Sequence, residues 1–171
     1  HSSPMLSLSN TYSKEELDDF DKRVKKILKI NEIEYTCELK FDGVALSIIY
    51  SKGKFVRAVT RGDGKKGDEI SNNVITIKSL PLEINNNTPE YFEVRGEVFL
   101  SKLNFKRINK LKIKNNEIAF SNPRNAASGS LKMQNSSIVS KRNLNCYIYS
   151  LICENSNIKT HEENLKYLKK I

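Results

Sequence analysis

Glycine and proline are scarce in this sequence of 171 residues, which contains seven glycines and four prolines. Such low numbers exclude collagen-like and low-complexity chains. With 38% hydrophobic and 29% charged residues, the composition also differs from that of a disordered chain. We therefore expect a folded protein that is long enough to bury a hydrophobic core.

Cysteine and histidine are also rare. The three cysteines, Cys37, Cys146 and Cys153, are an odd number without C-x-x-C spacing, and His1 and His161 are the only histidines. This pattern disfavours both a disulfide framework and a zinc site. The sequence predicts a protein with reduced thiols, in the cytoplasm, with no metal ligands of its own.

Long apolar runs are missing from the sequence. No stretch approaches the roughly 18 apolar residues that cross a bilayer, and the first residues lack the charged-then-apolar pattern of a signal peptide. We expect a soluble protein without a membrane partner. Because the chain begins with His1 rather than Met, we also expect it to be a segment of a longer protein.

The charged residues are unbalanced in sign. Lys and Arg number 29 against 20 Asp and Glu, which gives a net charge of +9 and a pI near 9.4. A basic surface favours a polyanionic partner such as nucleic acid or a nucleotide. Most of the cations are lysine, however, and lysines spread by a compositional bias would form only a solvated shell. Composition alone gives these two interpretations equal weight.

Apolar residues recur in patterns that predict an early helix followed by short strands. Residues 13–30 have helical periodicity, and Ser13 and Glu16 have the spacing of a capping box at its start. Runs rich in β-branched and aromatic residues predict strands, the last two forming a hairpin, over residues 35–41, 44–50 and 54–60.

The rest of the chain mixes helices and strands without regular alternation. Gly96, inside a predicted strand, indicates a bulge or a close approach of backbone. The three asparagines at residues 85–87 are typical of a loop tip. Because short turns join consecutive strands, the fold class predicted is α+β with antiparallel sheets and flanking helices. The later elements are helices over residues 68–75, after Ser101, within residues 120–130 and after Thr160, and strands over residues 90–100 and 144–152.

The first candidate site lies in residues 38–43, with the sequence ELKFDG. If this segment is a strand, Glu38, Lys40 and Asp42 share one face. A partly desolvated lysine can lose its proton and act as a nucleophile, and neighbouring carboxylates can orient it or take the proton. A solvated edge strand with a ladder of ions is an equally weighted alternative, because Lys-x-Asp-Gly alone is a weak motif.

Three further segments suit the binding of a phosphate, a ribose or a base. Arg61 begins a glycine-rich loop whose amides could approach a phosphate, although an ordinary tight turn is the favoured interpretation of that loop alone. Glu93, Arg95 and Glu97 share a strand face, a pattern that cross-strand ion pairing explains more often than ligand binding. Residues 121–130 begin a helix that could receive an anion or could be a plain helix start.

These motifs together resemble a known family. The segments PMLSLSN, CELKFDGVALSIIY, TRGDGKKGDEISNNVITI, EVRGEVFL and FSNPRNAASGSLK occur in the order and spacing of the adenylation domain of bacterial NAD-dependent DNA ligases, over roughly residues 4–152. The resemblance implies the nucleotidyltransferase fold of DNA ligases and mRNA capping enzymes, here incomplete. It also implies nick sealing in duplex DNA, in which a lysine takes AMP from NAD, AMP passes to the 5′-phosphate, and the 3′-hydroxyl displaces it.

The same resemblance assigns roles residue by residue. It implies that Lys40 is the nucleophile and that Asp42 orients or deprotonates it. The nucleotide-binding residues that it implies are Glu38 at the adenine amino group, Ser7 and Leu8 lining the nucleotide site, Arg61 and Glu97 at the ribose and neighbouring phosphate, Tyr149 stacking on adenine, and Arg124 near the nick or a phosphate.

Two positions depart from the family's pattern, and much of the family's architecture is absent from these residues. Ser9 stands where Asp is usual, and Lys132 stands where Arg is usual, which removes a planar bidentate group. The domain that captures nicotinamide mononucleotide, two later lysine motifs, the oligonucleotide-binding fold, the zinc finger and the helix-hairpin-helix region do not occur. We therefore expect a partial adenylation domain over residues 1–171, helical over about 1–31 and mixed over about 32–171.

The resemblance also implies ligands and partners. These are NAD as the AMP donor, Mg²⁺ as an accompanying ion, nicked duplex DNA, and Zn²⁺ only in a zinc finger outside this chain. A monomer in the bacterial cytoplasm, associated with the nucleoid during function, is expected. The alternatives are an ATP-dependent ligase or an RNA-capping nucleotidyltransferase, which share Lys-x-Asp-Gly but not the Asn-Pro-Arg-Asn-Ala-Ala run, and a non-catalytic basic module that binds nucleic acid.

Overall fold

A computed structural model of the chain describes residues 1–84, 88–153 and 157–171. The chain divides into two compact units, one formed by Leu6–Leu39 and a larger one formed by His1–Met5 together with Lys40–Ile171. The predicted loop tip at residues 85–87 lies outside the described residues. Within the described part, no helix is both long and apolar enough to cross a membrane.

The smaller unit is built around helix α1, Lys14–Leu28, which confirms the helix predicted over residues 13–30. The Ser13 hydroxyl accepts a hydrogen bond from the Glu16 backbone N–H at 3.2 Å, as a helix N-cap should. The helix ends at Lys29, whose backbone is left-handed with φ 56°. The Tyr35 hydroxyl donates to Asp21 at 2.9 Å and ties the following extended segment back to the helix.

The larger unit contains a four-stranded sheet in the order β2-β1-β3-β4, in which every neighbouring pair is antiparallel. Because helices flank this sheet, the predicted α+β class is confirmed. The β1–β2 hairpin and the bulge at Gly96, where the register of β3 against β4 shifts, were also correctly predicted. The elements are β1 Val44–Ser51, β2 Lys54–Thr60, α2 Ser71–Val74, β3 Tyr91–Phe99, α3 Lys102–Lys114, α4 Pro123–Leu131, α5 Ser136–Arg142, β4 Asn145–Ile152 and α6 His161–Leu168.

The hydrophobic core lies against one face of the sheet. Alternate residues of β1 and β3 point to this face, as the two-residue period of a strand requires. Helix α4 contacts β1 and β3, helix α2 contacts β2, and helix α6 contacts β4. Full burial of each large apolar side chain stabilises the fold by about 1.5–3 kcal/mol. The main fully buried members are Leu46, Ile48, Tyr50, Val74, Phe92, Val98, Ala126, Ala127, Leu131 and Val139.

Two predicted elements differ from the structure, and one was missed. Residues 35–41 do not form a strand, because no neighbouring strand pairs with them and Leu39 remains 82% exposed. The helix predicted over residues 68–75 is reduced to the single turn α2. Helix α5 was not predicted, since its seven residues, SSIVSKR, are too few for a clear apolar period.

The opposite face of the sheet carries a buried ion pair. Glu93 is 1% exposed, and its carboxylate accepts a hydrogen bond from Arg95 Nε at 2.9 Å along the same strand. The expected cross-strand pairing was therefore wrong for these two residues, because the cross-strand neighbours of Glu93 are Ile49 and Ile152. The pair also holds the first residues of the chain, since Ser2 N donates to Glu93 Oε2 at 3.0 Å.

The arginine of this pair extends the same tether. Arg95 donates to the backbone oxygen of Pro4 at 3.0 Å and to the hydroxyl of Ser3 at 2.9 Å. One residue later, Met5 N donates to Gly64 O at 2.8 Å, and the Met5 side chain is buried. These contacts hold His1–Met5 on the sheet of the larger unit, although the two are far apart in the sequence.

We expect Glu93→Gln to lower the free energy of unfolding at pH 7 by about 3 kcal/mol, because Arg95 would be left largely buried without its countercharge. Burial raises the pKa of Glu93, but the hydrogen bonds from Ser2 and Arg95 lower it by a larger amount, so the net pKa lies below its usual 4.5. The stability that this carboxylate adds is therefore present above about pH 4.5 and is lost as the pH falls below it.

Urea unfolding followed by circular dichroism from pH 3 to pH 7 measures both effects. Glu90→Gln is the matched control, because the Glu90 side chain is 78% exposed and its ion pair with Lys52 is long, at 3.7 Å. If Glu93→Gln and the wild type lose stability in parallel on acidification, the assignment of acid sensitivity to this pair is wrong.

Candidate active site

The Lys-x-Asp-Gly motif lies at the start of the main segment of the larger unit. Lys40 and Asp42 are exposed and precede β1, in a segment without helix or strand. The predicted shared strand face of Glu38, Lys40 and Asp42 was therefore wrong, since its strand does not form. Glu38 belongs to the smaller unit, together with Ser7 and Leu8.

The glycine of the motif connects it to β3. Gly43 N donates to Glu97 Oε1 at 3.1 Å. A Cβ atom at this position would lie 2.1 Å from the backbone oxygen of Val98, which is closer than any real contact. The close approach of the two backbones therefore requires glycine here, and it places Glu97 beside the Lys40–Asp42 segment.

The surroundings of Glu97, an acidic residue near Lys40, raise the pKa of its carboxyl group. Burial raises the pKa of its carboxyl group, while the Gly43 N–H and the positive charges of Arg124 and Lys40 act in the opposite direction. The negative charge of Asp42 raises it further. The charges that act on Glu97 come from two other segments, residues 40–42 and the start of α4, so this carboxyl group marks the place where three separated segments meet.

Arg124 comes from the first turn of helix α4 and completes the cluster. The side chain of Asn122 caps this helix by accepting from Asn125 N at 2.7 Å, and Pro123 follows at the first helical position. Arg124 Nη1 then donates to Asp42 Oδ1 at 3.1 Å. The small-residue run predicted to begin a helix therefore does so, and it delivers an arginine to the motif aspartate.

Tyr149 and Arg61 lie in the same region. Tyr149 is half-buried, and burial raises the pKa of its hydroxyl. The negative charge of Glu97 raises it as well, whereas the charges of Arg95 and Arg61 lower it. The larger unit thus brings together six of the predicted site residues, namely Lys40, Asp42, Arg61, Glu97, Arg124 and Tyr149.

The glycine-rich loop after Arg61 uses many of its own amides. Lys65 N and Lys66 N both donate to Asp63 Oδ1, at 2.8 and 2.7 Å, and Gly64 N donates to Arg61 O at 2.9 Å. Gly62 has φ 56°, a left-handed conformation that favours glycine. The loop is therefore the ordinary tight turn that the sequence favoured, and the Arg61 side chain, rather than these amides, is its candidate binding group.

The residues that could bind metal do not converge. Among residues 1–84, 88–153 and 157–171, no group of three or more His, Cys, Asp or Glu side chains could hold a metal ion. All three cysteines are free thiols, and burial raises the pKa of the Cys146 thiol to about 12. Lys132, which replaces the usual arginine, forms an ion pair with Asp68 at 2.9 Å.

One feature of this region was missed at the sequence level. The rings of Phe41, Phe99 and Tyr147 stack on one another next to the motif lysine, with Phe41 and Tyr147 centroids 4.2 Å apart. The signal available in the sequence was an aromatic residue inside Lys-x-Asp and aromatic residues in two later strands. Only the pairing of β3 with β4 shows that they meet.

We expect Gly43→Ala to lower the free energy of unfolding by about 2–3 kcal/mol, because the new methyl group would collide with the Val98 carbonyl and displace the Gly43–Glu97 hydrogen bond. Thermal denaturation of both proteins measures the change. Gly129→Ala is the control, since its methyl group would meet only the edge of the Phe120 ring, at 3.2 Å. Equal melting temperatures for Gly43→Ala and the wild type would contradict the close backbone approach.

Comparison with known proteins identifies the family to which these motifs belong. The whole chain, residues 1–171, matches the family described as NAD-dependent DNA ligase adenylation domain. It is 55% identical over 170 residues to a DNA ligase of Cytophaga hutchinsonii, with 99% of this chain and 25% of the relative covered.

Two further relatives carry the same name. The chain is 52% identical over 167 residues to a DNA ligase of Azobacteroides pseudotrichonymphae, covering 97% of this chain and 25% of the relative. It is 48% identical over 172 residues to a DNA ligase of Thermosipho africanus, covering 100% of this chain and 26% of the relative. The chain thus spans about a quarter of the length of the curated relatives it matches. These matches confirm the resemblance, and the chain belongs to the NAD-dependent DNA ligase adenylation-domain family.

Proposed function

We propose that this chain is part of the adenylation domain of an enzyme that seals nicks in duplex DNA with NAD as the AMP donor. Family membership supports the reaction, and one structural observation supports its location on this chain. Asp42 contacts Arg124 at 3.1 Å, and Gly43 contacts Glu97 at 3.1 Å, so three separated motifs meet beside Lys40. An incidental match to Lys-x-Asp-Gly would not require this convergence.

Lys40 is the proposed nucleophile of the first step. Its ammonium group first releases a proton to water or to a nearby carboxylate, because only the neutral amine has a lone pair. Nζ then attacks the α-phosphorus of NAD, so that an N–P bond forms as the P–O bond to nicotinamide mononucleotide breaks. The leaving oxygen takes the bonding electron pair. Positioning for in-line attack is the main contribution of the protein.

The two later steps transfer the same AMP group. An oxygen of the DNA 5′-phosphate attacks the phosphorus of the lysine adduct, which forms a P–O–P bond and returns the electron pair to Lys40 Nζ. The 3′-hydroxyl at the nick then loses its proton and attacks the 5′-phosphate, and AMP leaves. Arg124, placed at the motif by its contact with Asp42, is the proposed contact to a phosphate near the nick.

The remaining site residues are proposed to bind the nucleotide. Glu38 accepts from the adenine amino group, and Tyr149 stacks on the adenine ring. Arg61 and Glu97 hold the ribose and its neighbouring phosphate. Ser7 and Leu8 line the nucleotide site. Arg61 N donates to the backbone oxygen of Ala45 at 3.0 Å, and Ala45 lies opposite Glu97 in the β1–β3 ladder, which supports a common place for Arg61 and Glu97. The charges of both residues act on the pKa of the Tyr149 hydroxyl.

Mg²⁺ is the ion proposed to accompany the phosphates, but the residues described do not form a dedicated site for it. Asp42 binds Arg124, Glu97 binds the Gly43 amide, and the described residues contain no cluster of three possible ligands. Mg²⁺ is commonly held by one or two carboxylates together with substrate phosphates and water. No step is therefore assigned to a metal held by this chain.

The other parts of the proposal concern the whole protein. The interpretation of residues 1–171 as a partial adenylation domain, helical over about residues 1–31 and mixed over about 32–171, is part of this proposal. Nicked duplex DNA and NAD are the proposed partners of a monomer in the bacterial cytoplasm, at the nucleoid during function. An ATP-dependent or capping enzyme is disfavoured by the family match, and a non-catalytic module is disfavoured by the convergence at Lys40.

We expect a full-length ligase carrying this sequence to gain one AMP on Lys40 when it is incubated with NAD and Mg²⁺. Intact-mass spectrometry followed by peptide mapping locates the adduct. Lys40→Arg should form none, because guanidinium stays protonated and is not nucleophilic. Lys106→Arg, an exposed change on α3, is the matched control and should behave as the wild type.

The same experiment separates the alternatives. An adduct formed with ATP but not with NAD would support an ATP-dependent enzyme, and the absence of any adduct would support a non-catalytic module. Either outcome contradicts the proposal. The 171-residue chain, tested in parallel, shows whether the first step needs segments outside it.

A second test concerns Glu38 as the reader of the adenine amino group. Nicotinamide hypoxanthine dinucleotide replaces that donor with a carbonyl acceptor, so an ionised Glu38 should disfavour it. We expect the wild type to prefer NAD over this analogue by at least about tenfold in kcat/KM, and Glu38→Gln, which can donate, to lose most of that preference. Glu34→Gln is the control on the same exposed segment, and unchanged discrimination in Glu38→Gln would remove Glu38 from this role.

A further inference from the structure

The segment that carries Lys40 lacks the support of regular secondary structure. Lys40, Phe41 and Asp42 belong to no helix or strand, and the sheet begins only at Val44. On its C-terminal side, this segment is connected to the sheet by the Gly43 amide, which donates to Glu97 Oε1. A nucleophile must be held in place for in-line attack, so the question is what holds the backbone on the lysine side of that connection.

Phe41 holds this part of the backbone by stacking its ring on two aromatic side chains of the sheet. Its ring centroid lies 4.2 Å from that of Tyr147 and 5.3 Å from that of Phe99, with ring planes inclined by 22° and 20°. Phe41 is also half-buried, whereas its neighbours Lys40 and Asp42 are exposed. The motif segment is therefore attached to the sheet through its central residue.

The two rings beneath Phe41 form a platform on the sheet. Phe99 is the last residue of β3, and Tyr147 lies in β4 directly opposite Glu97. Their ring centroids are 5.2 Å apart, and their planes differ by only 2°. Offset aromatic rings at such separations attract one another beyond the effect of buried area. The antiparallel β3–β4 ladder fixes both rings, so the platform does not depend on the loop that it supports.

We propose that Phe41 is a positioning residue for Lys40, and that stacking on the Phe99–Tyr147 platform holds the lysine where attack on the NAD phosphorus can occur. This inference rests on the proposed function. Glu97 links the motif segment to the aromatic platform. It accepts a hydrogen bond from Gly43, and it lies directly opposite Tyr147 in the β3–β4 ladder. The aromatic contact and the Gly43 hydrogen bond together anchor the motif on both sides of Asp42.

The test uses a full-length ligase carrying this sequence and measures the single-turnover rate of adduct formation on Lys40 as the NAD concentration varies. Phe41→Ala should lower the maximal rate of adduct formation by about 30- to 100-fold. The NAD concentration that gives half of the maximal rate should change by less than about twofold, because a misplaced nucleophile affects attack rather than binding. Phe41→Tyr, which keeps the stacked ring, should restore most of the rate.

The platform provides matched variants. Tyr147→Phe should behave as the wild type, because the ring rather than the hydroxyl makes the contact, whereas Tyr147→Ala should slow adduct formation by about tenfold. Tyr91→Ala is the control at the other end of the same sheet, since Tyr91 is 54% exposed and Tyr147 is 52% exposed. If Phe41→Ala fails to fold, the comparison of Tyr147→Ala with Tyr147→Phe and Tyr91→Ala decides the question.

A second assay separates positioning from general destabilisation. Sealing of a nick that already carries AMP on its 5′-phosphate does not require attack by Lys40, so Phe41→Ala should keep that rate within about threefold of the wild type. Equal losses in both assays, or an unchanged rate of adduct formation, would overturn the inference. If the wild type itself forms no adduct with NAD, or if Lys40→Arg analysed in parallel forms one, the proposed function fails instead.

Discussion

The pairing of β1 with β3 is the constraint on which the rest of the larger unit depends. Their antiparallel register places Val44 opposite Val98 and Ala45 opposite Glu97. The residue before β1 is consequently forced against the Val98 carbonyl, where only glycine fits. The same register brings Glu97 within hydrogen-bond distance of that glycine, so one strand pairing determines both the geometry and the electrostatics at the motif.

The two faces of this sheet carry different kinds of side chain and have different roles. One face is apolar and packs against helices, which supplies most of the stabilising burial. The other face carries charged and aromatic side chains, and part of it is covered by His1–Met5 through the buried Glu93–Arg95 pair. A buried ion pair is not a large source of stability, but leaving either charge alone is costly. The pair therefore specifies where the first residues of the chain lie.

Sequence patterns predicted most elements correctly because their signals are local. Ser13 caps α1, Asn122 begins α4, and Thr160 with Glu163 forms a full capping box on α6, each within a single turn. Alternation and short turns also predicted the hairpin and the antiparallel sheet. The strand at residues 35–41 failed for the converse reason, since alternation describes a strand only where a partner strand exists.

By itself the sequence determined which residues are candidates for the proposed reaction, because Lys-x-Asp-Gly and the arginine and glutamate motifs are defined by residue type and spacing. It also determined the α+β class. Only the tertiary structure decided that Arg124 contacts Asp42, that Glu97 contacts Gly43, and that three aromatic rings stack beside Lys40. These contacts join residues about 50 to 100 positions apart, and their distances follow from strand register and helix packing, which no local pattern encodes.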